Sequence, residues 1–228
     1  MPKVESIEVL EDYSARARLD EGFLRLKRLR ARNRRDDGSR SREYAIDVVD
    51  RPTLDAVALV IWARTSRGVE VLTRHQLRPA AFFRRGKTAA LPEPEYLLVE
   101  EIVAGVLEPG ELGEAALRVR AVEEAREEAG LAIDPGAVRR IGGAFFPLPG
   151  IVSEKIHVLE AEVSRGDGPD LFDAPHEGDG SPLEEGSHLQ WRTLEGALRA
   201  CELGEIEDAK TEIGFRRLAA KLGRGAVP

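Results

Sequence analysis

The stretch from Ala104 to Leu131, AGVLEPGELGEAALRVRAVEEAREEAGL, constrains this chain more than any other. Pro109-Gly110-Glu111 is turn chemistry. From Leu112 onward nearly every residue is a good helix former. Gly130 stands where a glycine beyond the last turn ends a helix. At about 100° per residue, Leu117, Ala121, Val122, Ala125 and Ala129 gather on one side of this helix. Glu124, Glu127 and Glu128 gather on a neighbouring side, at i, i+3 and i+4.

The charges on that helix are arranged unfavourably. Glu123–Glu127 and Glu124–Glu128 are like-charge i, i+4 pairs, each costing about 0.2–0.5 kcal/mol. Acid is also concentrated towards the negative end of the helix dipole. Arg120 and Arg126 relieve part of this. A hard divalent cation held by carboxylate oxygens relieves more, and a solvated acidic face is the alternative.

The rest of the chain supplies strands, then helices. Residues 22–34 and 42–50 alternate as the two strands of a hairpin, the first with a phase slip that predicts a bulge. Residues 54–64, LDAVALVIWAR, predict the clearest buried strand. Further strands are expected at 69–74, 96–103, 138–146, 154–163 and 188–192, and helices at 193–203 and 206–222. Residues 164–187, rich in Gly, Pro and acid, predict a functional or disordered loop. This order predicts a mixed α/β (α+β) domain over 54–228, preceded by a hairpin segment over 1–53.

A chain of 228 residues with 42% hydrophobic and 33% charged content suits a globular protein. No run approaches the roughly 18 apolar residues of a membrane span, and residues 1–14 lack the apolar core of a signal peptide. One cysteine, Cys201, permits no internal disulfide. A reducing, cytoplasmic location is expected. The net charge is −7, yet residues 16–42 hold eleven Lys/Arg against four Asp/Glu. That basic segment is read as the polar face of the hairpin or a wall for a phosphorylated substrate, ahead of a nucleic-acid surface. His75, His157, His176 and His188 lack metal-ligand spacing.

The stretch 104–131 resembles the Nudix hydrolase box, G-x5-E-x7-R-E-U-x-E-E-x-G-U, with U aliphatic. Gly105 and Glu111 fit its first half; Glu124, Ala125, Glu127, Glu128, Gly130 and Leu131 fit its second. Eleven residues rather than seven separate the halves, about one extra turn. Glu123 stands at the box arginine, and Arg120 is one turn before Glu124. Other segments are similar to the ADP-ribose and nucleoside-diphosphate-sugar pyrophosphatase branch. They are Arg74-His75-Gln76-Leu77-Arg78-Pro79, Glu101–Gly105, Pro147 within PLPGIVSEKIHV, and Asp208-Ala209-Lys210-Thr211. Their shared order spans about residues 23–220.

The resemblance implies a Nudix-type α/β/α sandwich with a mixed sheet, and a homodimer built by the N-terminal hairpin. It implies Mg²⁺, or Mn²⁺, held by Glu124, Glu127, Glu128 and the carbonyl of Ala104. Arg78 is expected on phosphate, where a guanidinium suits the geometry, with a surface salt bridge as the alternative. Arg51, Tyr44 and Val106 are the further expected substrate contacts. Glu184 and Glu185, with Glu154 as a second source, are candidates to activate or orient water. Glu111 is a further candidate for the metal site, with the turn and the helix start as its alternative role. The expected reaction is hydrolysis of ADP-ribose or a related nucleotide sugar to a nucleoside monophosphate and a sugar phosphate. A nucleotide-sugar-binding module that does not cleave is the alternative, and an RNA-end pyrophosphatase is a third. No membrane partner is expected.

Overall fold

β3 (Asp55–Thr65) sits at the centre of the molecule because both of its faces are apolar. The computed structural model describes residues 18–19, 21–166, 168–173 and 182–224. Side chains alternate across a strand, so β3 feeds two cores. Val57, Leu59, Ile61 and Ala63 face one; Ala56, Ala58, Val60 and Trp62 face the other. A strand buried on both faces needs cover on both.

The sheet around it runs β7 (Arg139–Arg140), β8 (Lys155–Glu162), β3, β4 (Gly68–Leu77), β10 (His188–Thr193) and β9 (Leu171–Asp173). It is mixed, since β3 and β8 are parallel and the other pairs antiparallel. β5 (Leu98–Glu101) pairs with β4, and β6 (Val103–Val106) with β3. The β5–β6 segment therefore enters the sheet between β3 and β4 and parts them. A short α1 (Pro79–Phe82) follows β4.

α2 (Gly113–Ala129) covers one face, burying Leu117, Ala121, Ala125 and Ala129 against β3. Gly130 ends it in the left-handed region at φ 66°, with its amide bonded back to Arg126. α3 (Leu194–Leu203) and α4 (Ala209–Arg224) cover the other face with Ala197, Ala200, Phe215 and Leu218. α4 lies close because Gly214 has no side chain: a Cβ there would stand 2.8 Å from Val60 Cγ2. The mixed α/β class with a mixed sheet and an N-terminal hairpin is the one expected. Among the described residues no helix is long and apolar enough to cross a membrane.

Several local expectations are corrected. β1 (Arg25–Ala31) and β2 (Tyr44–Asp50) pair in unbroken register, without a bulge. Leu26 and Leu29, an odd number of residues apart, consequently point to opposite faces, and Leu29 is left 49% exposed. The hairpin meets the body where the Val49 amide donates to the Ile151 carbonyl at 2.9 Å. Gly105 and Val106, beyond the strand expected over 96–103, belong to β6 because they pair with Val57 and Ala56. Over 138–146 only Arg139 and Arg140 form a strand, with an isolated Phe145–Ile156 bridge beyond the turn at Gly142. The last helix starts at Ala209 rather than Ile206, since the Asp208 carboxylate accepts from the Thr211 amide at 3.0 Å. Among the described residues of 164–187, β9 adds to β10 and a 3-10 turn forms at Pro182–Glu184. His176 lies outside the described residues.

Candidate functional site

The parting of β3 and β4 exposes one end of the sheet beneath the second half of α2. Gly105 on β6 lies directly under Glu124. A Cβ added there would fall 1.7 Å from Glu124 Oε1 and 2.0 Å from its Cδ. Glycine is therefore what lets this carboxylate lie down on the strand. Glu124 is only 15% exposed. Burial, reinforced by the charge of Glu128, pushes its carboxyl up to about 8.

Glu128, one turn on, is held at both oxygens. Oε1 accepts from the Arg74 guanidinium, and Oε2 accepts from the Ala104 amide at 3.2 Å. Burial raises its carboxyl above the usual range, and Arg74 and the Ala104 amide oppose the rise. Arg74, on β4, is 2% exposed. Its second nitrogen donates to Glu184 Oε1 at 2.9 Å. Glu127 is nearer solvent and accepts from Arg126 at 3.0 Å.

Arg120 organises the opposite end of the acidic row. It donates to Glu111 Oε1 at 2.7 Å and lies 3.3 Å from Glu108, 3.4 Å from Glu123 and 3.8 Å from Glu124. Glu111 Oε2 accepts from the Glu108 amide at 2.7 Å, closing the turn that leads into α2. Arg120 holds the glutamate row from its N-terminal side, and Arg74 holds it from below.

These groups face a cavity of about 550 Å³, lined by Glu124, Glu127, Glu128, Glu184, Gln76 and Val106, with Phe23 at its hairpin side. On its wall Gln76 Oε1 is buried without a hydrogen-bond partner. A buried polar atom of this kind calls for a polar ligand or water. Glu124 and Glu128 face one cavity against their own repulsion, and hard carboxylate oxygens suit a divalent cation of the Mg²⁺ class. Among the described residues no three acidic, His or Cys side chains are already gathered as ligands. The physical reason is visible: Arg74 occupies Glu128, and Arg126 draws Glu127 outward. Ala104 touches the cluster through its amide nitrogen.

Arg78, Arg51 and Tyr44 lie outside this cavity. Arg78 donates from Nε to Glu101 Oε1 at 2.8 Å, and Lys210 holds the same carboxylate. Arg78 lines a neighbouring cavity of about 840 Å³ with Tyr96 and Lys210, not the glutamate cavity. Arg51 donates to the Thr53 carbonyl at 2.7 Å and lies 3.2 Å from Glu154, so Glu154 is already paired. Tyr44 donates to Asn33 Oδ1 at 2.7 Å, within the hairpin. Glu184 turns inward to Arg74, while Glu185 is exposed.

Arg74, Gln76 and Phe23 were not assigned roles from sequence. A signal existed for the first two. Leu72, Arg74 and Gln76 share one face of β4 by alternation, and Leu72 is core. An arginine on the buried phase of a central strand demands a buried acid.

No protein-family model matches the chain, and no curated protein matches it.

Proposed function

We propose that this chain is a Nudix-type pyrophosphatase, dependent on Mg²⁺ or Mn²⁺, that hydrolyses ADP-ribose or a related nucleoside-diphosphate sugar. The observation that carries the reading is the burial of Glu124 beside Glu128 on one cavity, with Glu127 at its mouth. Two carboxylates placed together in a desolvated site are costly unless positive charge joins them. Glu124, Glu127 and Glu128 would hold the cation, which supplies neutralisation of the pyrophosphate and activation of water. Glu184 accepts the proton as water attacks phosphorus, and the anhydride bond breaks to give a nucleoside monophosphate and a sugar phosphate. Arg78, in the neighbouring cavity but near enough for its charge to act on Glu128, would take phosphate oxygens in exchange for Glu101.

Incubation with a panel of nucleoside-diphosphate sugars and Mg²⁺, coupled to a phosphatase, is expected to release phosphate. A folded protein with no turnover on any of them rejects the reading. One observation favours a second reading, a binding module without cleavage: Arg74 already occupies Glu128. Calorimetry showing nucleotide-sugar binding without product would select it.

The hairpin is proposed to build a homodimer. Phe23, Leu24, Leu29 and Tyr44 are all exposed on the single chain, and a two-stranded ribbon stabilises itself poorly. Sedimentation should give about twice the mass of one chain, and a monomer at micromolar concentration removes this part.

A further inference from the structure

The turn that carries Glu184 is joined to α2 through Arg74. It is a single 3-10 turn over Pro182–Glu184, closed by the Glu185 amide on the Pro182 carbonyl at 3.2 Å and the Ser187 amide on the Glu184 carbonyl at 3.0 Å. These bonds shape the turn but do not tie it to α2. Arg74 does: one nitrogen of its guanidinium meets Glu128 on α2 and the other meets Glu184 at 2.9 Å. The planar fork fixes the two carboxylates relative to each other. A lysine ammonium, a point charge on a flexible stem, does not reproduce that. Arg74 itself is fixed, being 2% exposed on a strand paired to both β5 and β10.

We infer that Arg74 is a positioning residue that sets Glu184, rather than Glu185, beside the helix glutamates. This rests on the pyrophosphatase reading for its kinetic consequence only; the tether itself is independent of it. Glu184 is brought to the reacting water by a charged fork on the rigid sheet, so the turn need not be ordered by substrate. The orphaned Nε of Arg74, buried without a partner, marks a guanidinium placed for its two carboxylates and not for its own full satisfaction.

The test is a double-mutant cycle on the full chain. Arg74→Met, Arg74→Lys, Glu184→Gln and the Arg74→Met/Glu184→Gln double variant are assayed for kcat and KM with Mg²⁺. Hydrogen exchange across 182–187 is followed in the metal-free protein. Arg74→Met and Glu184→Gln are each expected to lower kcat by about 10²-fold, with KM changed less than about threefold. The double variant should lose no more than the worse single one. Both single variants should accelerate exchange at 182–187 equally, with Arg74→Lys rescuing neither kcat nor exchange. Additive losses, or unchanged exchange in Arg74→Met, would overturn the inference. Arg74→Lys keeps the buried charge and covers the case in which Arg74→Met does not fold. Absence of wild-type turnover defeats the pyrophosphatase reading alone, because exchange still reports on the tether.

Discussion

Glu124→Gln is expected to lower pyrophosphatase turnover by roughly 10²–10³-fold while making the metal-free protein more stable at alkaline pH. Both effects come from one cause. The fold buries this carboxylate beside Glu128, and its carboxyl is pushed from the ordinary 4.5 up to about 8. The folded chain thus binds that proton more tightly than the unfolded chain does. Stability from this group is complete below about 4.5 and is lost as pH rises through about 8. A glutamine mimics the protonated acid at every pH. The variant and the wild type should melt together near pH 5. They should diverge through that window until the variant is ahead by on the order of 2–4 kcal/mol at pH 9. A cation replaces the proton, so Mn²⁺ binding to the wild type should tighten towards pH 8 and be weak in the variant. Equal melting temperatures at pH 9, or full turnover in the variant, would contradict the account. A residue retained at a cost in stability is what a functional site looks like in free-energy terms.

Gly105→Ala should remove most of the activity without touching a charged group. The added methyl would fall 1.7 Å from Glu124 Oε1, and no small adjustment opens that gap. The strand itself tolerates alanine, because Gly105 is not in the left-handed region and pairs with Val57. The glutamate must therefore leave. Turnover is expected to fall by about 10²-fold, and the Glu124 carboxyl to return towards 4.5 once it reaches solvent. The double variant Gly105→Ala/Glu124→Gln should be no worse than Glu124→Gln alone. Carbon-detected NMR titration of the glutamates checks the pKa directly. A Glu124 that still titrates near 8 in Gly105→Ala would show that the close approach is not what holds it.

The helix of the site was legible because its signals are local. Gly130 ends α2 where its place after Ala129 says it should, and Leu117, Ala121, Ala125 and Ala129 are buried as their spacing requires. The buried strand 54–64 was legible because hydrophobic character at every position admits few other readings. The hairpin's existence was legible, but its register was not. Leu26 and Leu29 suggested a bulge, yet cross-strand pairing runs straight through and leaves Leu29 outside. Edge ribbons with weak two-sided patterns specify register poorly from sequence.

Glu184 and Glu185 show where one-dimensional reasoning stops. They are neighbours of the same type, and composition cannot choose between them. The turn and Arg74, 110 residues away in sequence, make the choice. Gly105 is similar. Its place in β6 follows from pairing with Val57, and its need to be glycine follows from a side chain on another element.

By itself the sequence determined the helix, its acidic row, the two-faced central strand and the mixed α/β class, since these depend on periodicity and on neighbours within a few residues. Only the tertiary structure decided which arginines hold the row, which loop acid joins it, and how deeply Glu124 is buried. Those outcomes depend on which distant segments the sheet brings within a few ångströms, and on the loss of water around them, and neither is written in local spacing.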